Sequence, residues 1–551
     1  MRARLVLFAV FVSGCARLVF LKPPSVPRAA GTSHTERGAL PPHAMPARPQ
    51  PATDWSGYNN TPDGARFSPL EQITPRNAHT LQPVCTFDLG ERAAMESGPV
   101  VVDGVLFVTT ARNTYAIDAA TCALRWKHTY AYAPAPPYDL KVNRGVAYAD
   151  GRLYRGANDG RVYALDATSG EEIWNVVTGD PSVGETFPAA PAAWGGLVFI
   201  GNAGGDNFGV TGRMMALDGT TGGVVWSTEL IARHGAAGAT WPAETELFPR
   251  GGSASWTTYT VDSATGIVYV PTGNAAPDFL PEVREGRNLH AYSVVALDAR
   301  TGALLRSYPI LEQDYHDWDV AAAPALITTR GGREILAVGG KDGHLYGVDR
   351  RSLAHRYATA VTTIDNIDAP LTAQGTRFCP GVNGGIEWNG PAYSTLTNLL
   401  YVNSIDWCTT VTVSPPEKVR GRKGLPWTGS SKLRQPFGRP DSVRSGWLTA
   451  VDADAGTVRW RYASPTPLVA GVTVTAGGVV FTGDLDGEVL AFDAADGRLL
   501  WQASTAQPIG GGVVSYQAGR RQLVAVAVGL HAPTTWQLET SNARIVVYGL
   551  P

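Results

Sequence analysis

Five times in this chain an aspartate is followed eight positions later by a tryptophan, within segments that otherwise read alike. They are "TYAIDAATCALRW", "VYALDATSGEEIW", "MMALDGTTGGVVW", "LTAVDADAGTVRW" and "VLAFDAADGRLLW", giving Asp118/Trp126, Asp166/Trp174, Asp218/Trp226, Asp452/Trp460 and Asp493/Trp501. Asp298 and Asp349 head weaker copies, in which Arg306 and Tyr357 replace the tryptophan. Each copy alternates apolar residues, breaks at a tight turn and resumes with a second apolar run, the pattern of two strands joined by a hairpin. A unit of this size cannot bury its apolar faces alone, so the copies must pack on one another. The aspartates step by 48, 52, 80, 51, 103 and 41 residues, and the doubled step of 103 predicts a degenerate copy between Asp349 and Asp452. Seven visible copies and one hidden one predict an all-β fold, an eight-bladed β-propeller of four-stranded antiparallel blades. A linear β-solenoid is the alternative, but its rungs are usually shorter. The step of 80 contains an insertion near Ala232–Gly251, and a second insertion, Ser414–Arg444, carries eight lysines and arginines. Long loops of this kind are often functional; this one suits covering a site or docking an acidic partner.

Composition agrees with many short strands: 62 glycines and 39 prolines punctuate the chain, and charged residues make up only 17%. A net charge of −2 gives no basic face for nucleic acid. The N-terminus reads as a targeting signal, with "MRAR", the short apolar run "LVLFAVF", and "VSGC", which resembles a bacterial lipobox ending at Cys15. Residues 1–14 are then a lipoprotein-type signal peptide, 15–52 a proline-rich tether and 53–551 the propeller. The expected location is the periplasm, lipid-anchored to the outer membrane of a Gram-negative bacterium. Four cysteines remain, an even number that suggests two disulfides in an exported chain. Three pairings are open; pairing neighbours gives Cys85–Cys122 and Cys379–Cys408.

The Asp-x7-Trp copies resemble the tryptophan-docking motifs of pyrroloquinoline quinone (PQQ) dehydrogenases, over nearly the whole of the chain after Asp54. The resemblance implies a site for PQQ, a flat tricarboxylic quinone, and a divalent cation. "VNRG" places Arg144 at the family's PQQ-binding arginine, whose paired donors suit a carboxylate. "GGSASW" places Trp256 at its stacking tryptophan, and "AAMESGPVV" puts Glu96 beside the quinone. "GGKDG" places Lys341 beside the reactive C5 oxygen, where a cation stabilises developing negative charge. "GNAGGDNFGVTG" aligns Gly204 and Gly205 with cofactor-binding glycines and Asp206 with a glutamate ligand of the metal. "PTGNAAPDF" nominates Asn274 as a second ligand, and hard oxygen donors suit calcium. In "YHDWDVAAAP", alignment on Trp-Asp makes Asp319 the catalytic base and a metal ligand, while Asp317 fixes the loop. Ala321 stands where lanthanide-dependent relatives carry a further aspartate, so Ca2+ is the expected ion.

Three departures stand beside the resemblance. Tyr138 and Asp139 occupy the positions of the adjacent cysteines that cover the cofactor in many members. "GGIEW" keeps the tryptophan as Trp388 but replaces asparagine by Glu387, a carboxylate that would repel the quinone unless compensated. No Cys-x-x-Cys-His haem motif occurs, so electrons leave to a separate cytochrome c or membrane quinone. The resemblance therefore implies a PQQ- and calcium-dependent dehydrogenase of alcohols or sugar hydroxyls. The alternative is a non-catalytic propeller lipoprotein that acts as a scaffold or binds a PQQ-like ligand; it would need the docking repeats but not Arg144, Asn274, Asp319 and Lys341 together.

Overall fold

The computed structural model describes residues 53–131, 137–138, 140–432 and 434–551. Cys15, the tether through residue 52 and Asp139 lie outside the described residues. Eight blades of four antiparallel strands follow in chain order, the seventh joined by a short fifth strand, Phe67–Ser68, parallel to Thr473–Thr475. Blade 1 runs from Val100–Val102 to Leu124–Thr129, blade 2 from Ala147–Ala149 to Glu172–Val177 and blade 3 from Ala192–Trp194 to Val224–Glu229. Blade 4 runs from Thr260–Asp262 to Leu304–Pro309, blade 5 from Ala325–Thr328 to His355–Ala360, blade 6 from Ala392–Ser394 to Val458–Ser464 and blade 7 from Thr473–Thr475 to Leu499–Ser504. Blade 8 joins the chain ends: Val513–Ala518, Arg521–Val528 and Arg544–Gly549 pair with an outer strand, Gln82–Asp88, from before blade 1.

The eighth blade is therefore not between Asp349 and Asp452, where the spacing had placed it. That interval holds a single blade, enlarged by a three-stranded side sheet of Thr376–Phe378, Thr409–Val411 and Arg439–Pro440. The true eighth unit has no aspartate–tryptophan signature because two distant parts of the chain build it.

The repeat works as a joint between blades. In each copy the aspartate accepts hydrogen bonds from the turn it heads; Asp218 takes the amides of Thr220 and Thr221 and the Thr221 hydroxyl. The tryptophan then reaches the next blade's turn, as Trp174 donates to the carbonyl of Gly219. Its ring lies so close to Gly222 that a Cβ there would sit 2.6 Å away, and Gly222 has a φ of 76°. Glycine meets both demands at once. Tyr357 does the same work between blades 5 and 6, donating to Ala453. Where Arg306 stands instead, the facing turn carries Leu353 at the glycine position. At the closing seam no tryptophan docks; Cys122 occupies the glycine position and is bonded to Cys85 on the outer strand of blade 8. The second disulfide, Cys379–Cys408, joins the adjacent ends of the paired side-sheet strands Thr376–Phe378 and Thr409–Val411. Both neighbour pairings stand.

Apolar clusters fill the spaces between blades, such as Val100, Phe107 and Ala116 of blade 1 against Leu153, Tyr163 and Leu165 of blade 2. Strand alternation sends the aspartate turns to one end of each blade. The hairpins between second and third strands, and the links from blade to blade, emerge at the other end. The residues singled out for chemistry lie on those links and hairpins.

Candidate functional site

Links entering blades 1, 2, 4, 5 and 6 bring Glu96, Arg144, Trp256, Asp317, Asp319, Glu387 and Trp388 to one end of the propeller. Hairpins within blades 3, 4 and 5 add Asp206, Asn274 and Lys341. Most of these side chains are buried. A continuous series of contacts joins them. Glu96 forms an ion pair with Arg144. The Arg144 guanidinium lies 4.6 Å from the centre of the Trp256 ring and 5.4 Å from that of Trp388, so two indole faces hold one cation. Trp388 is itself fixed by donating to the Gly510 carbonyl at 3.0 Å.

Asp319 is held at both oxygens. Oδ1 accepts the Asn274 amide N–H at 2.6 Å, and Oδ2 accepts the Trp256 indole N–H at 3.0 Å. The Lys341 ammonium stands 3.6 Å from Oδ2 and donates to Asp317 at 3.1 Å. Burial works against a charged Lys341, but Asp317, Asp319 and Glu387 outweigh it and hold its pKa well above the ordinary lysine value. Burial pushes the Glu387 carboxyl up to about 7, with Lys341 opposing and Asp319 and Glu96 adding to the rise.

Beside this series, carboxylate oxygens of Asp206, Asp278 and Asp317 lie within 4.8 Å of one another. Burial and the field of Asp319 raise Asp206 to about 6, while the Asn274 side chain bonds to it and opposes the rise. Burial, followed by the neighbouring acids, raises Asp278 well above the usual carboxylate range. Burial likewise raises Asp317, against the pull of Lys341. Such a group holds protons that a hard cation would displace. Two oxygens bound to one ion at about 2.3–2.6 Å can lie up to about 5 Å apart, so the cluster fits a cation of calcium's size.

Of the three residues expected to bind the metal, Asp206 lies in this cluster with Asp278 and Asp317. The Asn274 side chain bonds to Asp206 and its backbone amide to Asp319, which stands beside the cluster. Asp278 was missed, although it stands four residues after Asn274 in "PTGNAAPDF". Asp317 has a φ of 66°, an unusual conformation for aspartate, where the loop lacks one residue before Trp318.

Gly204 is required by packing: a Cβ there would sit 2.2 Å from the Gly184 carbonyl oxygen. Gly205 backs onto Ala254. Both shape the loop that presents Asp206. The insertion Ser414–Arg444 covers this loop, since Trp427 donates its amide to the Asp206 carbonyl at 2.7 Å and stands edge-on to Phe208. Its Lys418, Arg420, Arg422 and Lys423 side chains face solvent. Tyr138 stands within the fields of Asp206 and Asp317, where burial and those charges push its hydroxyl up to about 12.

Sequence and structure comparisons agree on what this arrangement resembles. The family profile described as PQQ glucose/ethanol/alcohol dehydrogenase, β-propeller domain, matches residues 55–352 and 352–524. The quinoprotein alcohol dehydrogenase PedH of Pseudomonas putida is 28% identical over 85% of this chain and 84% of its own length. The lanthanide-dependent methanol dehydrogenase of Methylacidiphilum fumariolicum is 29% identical over 86% of this chain and 84% of its own. Among solved structures, the quinohemoprotein alcohol dehydrogenase ADHIIG of P. putida HK5 superposes with a TM-score of 0.80 at 26% identity, covering 91% of this chain and 80% of its own.

Proposed function

Because the chain belongs to the PQQ-dependent β-propeller dehydrogenase family, we propose that it is a quinoprotein alcohol dehydrogenase, an oxidoreductase that acts on a CH–OH group. The observation that carries this reading is the convergence of Arg144, Trp256, Asp319 and Lys341 into one buried contact series. When bound, PQQ supplies the hydride acceptor and a hard cation supplies Lewis acidity.

The chain's own residues do the rest. Asp319 takes the proton of the substrate hydroxyl. The Asn274 amide and the Trp256 indole fix its two oxygens, which orients the carboxylate before substrate arrives. Lys341 keeps its proton and holds a positive charge beside Asp319, in place to stabilise negative charge that develops in the reaction. Arg144 offers a planar donor set for a carboxylate, steadied by Glu96 and two indole faces. Asp206 and Asp317, with Asn274 in support, would hold the cation. Electrons then pass to a separate acceptor. The ion expected from Ala321 is calcium.

Burial eases the conflict between the Glu387 carboxylate and a tricarboxylic ligand on the acid side of neutrality. With its pKa at about 7, it is largely uncharged below neutrality. The raised value means that the proton is bound more readily in the folded site, and that repulsion toward an anion grows as pH rises through 7. Titration of the apo-protein with PQQ should therefore show affinity falling about tenfold from pH 6 to pH 8. Glu387→Gln should flatten that dependence. Tight binding with no pH dependence in the wild type would remove Glu387 from the cofactor site, and no binding at either pH would overturn the reading itself.

A further inference from the structure

We propose that the seam between blades 4 and 5 is a binding site for a small aromatic carboxylate, at the end of the propeller away from Asp319 and the carboxylate cluster. Both partners of the docking joint are replaced at this seam: Arg306 stands for the tryptophan and Leu353 for the turn glycine. No disulfide takes over, as Cys85–Cys122 does between blades 8 and 1. Leu353 keeps the left-handed backbone of the glycine it replaces, with a φ of 54°. A bulky side chain is strained in that conformation, and folds keep such strain chiefly where the site is used.

The replacements leave a cleft of about 180 Å³. Ile267, Tyr269 and Ala296 of blade 4 and Leu353 of blade 5 give it apolar walls, and Arg306 and Arg350 also line it. The joints on either side place a ring in the equivalent position, Trp226 toward blade 4 and Tyr357 toward blade 6. An arginine there leaves open the slot that a ring fills elsewhere. Because an apolar cavity of about 150 Å³ admits benzene, one ring with a small substituent is the size that fits.

Charge then fixes the substituent. Arg306 is exposed, and among the described residues its guanidinium has no hydrogen bond or ion pair. The acids around the cleft are engaged by other groups. Glu334 is shared by Arg350 and Arg351, Asp349 pairs with Arg356, and Asp262 and Asp298 accept amides of their own turns. Arg306 is therefore the cation left over, and it faces a second guanidinium across the seam. Two guanidiniums beside apolar walls suit a planar carboxylate whose ring enters the slot.

The test is equilibrium dialysis of the full-length protein against radiolabelled benzoate at pH 7, with benzamide as the uncharged isostere. We expect one saturable site per chain, with benzamide at least tenfold weaker. Arg306→Gln should weaken benzoate about tenfold and leave benzamide unchanged, a pattern that a purely structural arginine would not give. Arg306→Trp combined with Leu353→Gly rebuilds the joint used at the other seams; it should close the slot to benzoate and raise the melting temperature. Benzoate should still bind when PQQ is present in excess. No saturable binding, wild-type affinity in either variant, or displacement by PQQ would overturn the proposal, the last by placing benzoate near Arg144 instead.

Discussion

Asp319→Asn should lower turnover by about 10²–10⁴-fold while PQQ remains bound, the range for loss of a positioned general base. The carboxylate is fixed by the Asn274 amide on one oxygen and the Trp256 indole on the other. An amide keeps the first contact through its carbonyl. Its NH2 would then face the Trp256 N–H and the Lys341 ammonium, donor against donor, so some local rearrangement accompanies the lost base. Asp317→Asn provides the control, because Asp317 belongs to the carboxylate cluster and Asp319 does not. Asp317→Asn should raise the concentration of cation needed for activity and recover turnover when cation is added. Asp319→Asn should not be rescued by any concentration. Kinetics at saturating alcohol and varied cation separate the two. Equal rescue of both variants would show that Asp319 is a ligand and that the base lies elsewhere.

Lys341→Met should be the most destabilising single change in the site. It keeps the length of the side chain but removes the charge, leaving Asp317 and Asp319 buried without their shared partner. Breaking one side of a buried ion pair costs about 3–5 kcal/mol, because the remaining charge is stranded. Turnover should also fall, by about 10²–10³-fold, the scale for removing one group that stabilises developing negative charge. The sign with pH is definite. The pKa of Lys341 is held above its unfolded value, so its contribution is present throughout the neutral range and is lost only as pH rises through the raised value. Urea unfolding at pH 7 should therefore show the full loss in Lys341→Met, with most of it restored in Lys341→Arg. A midpoint within about 1 kcal/mol of wild type would mean that the two aspartates do not need the ammonium.

The joints between blades were legible because each is local. An aspartate, a turn and a tryptophan lie within nine residues, and the turn glycine that the ring packs on is itself part of the next copy. The eighth blade was not legible in the same way. Gln82–Asp88 and Val513–Gly549 come from opposite ends of the chain, and the seam is held by Cys85–Cys122 where four other seams use an indole. The doubled spacing before Asp452 looked like two units because a side sheet and its insertion lengthen one blade.

In the site, Arg144, Trp256, Asp319 and Lys341 each stand in a segment that resembles the family, and the fold brings all four together. Asp278 could not be read this way. Its importance comes from burial, from Arg284 turning its donors to carbonyls, and from the approach of Asp206 and Asp317 on other loops. None of these is a property of the nearby sequence. The basic insertion likewise reads as a charged loop, while the structure uses its apolar Trp427 to cover the Asp206 loop and leaves basic side chains outside.

The most direct test is alcohol oxidation by the purified chain loaded with PQQ and a hard cation, followed with an artificial electron acceptor. The account predicts alcohol-dependent reduction of the acceptor that requires PQQ and is lost in Asp319→Asn. Tight PQQ binding with no reduction across primary alcohols, secondary alcohols and aldoses would contradict it, leaving a propeller that binds the quinone without turning over.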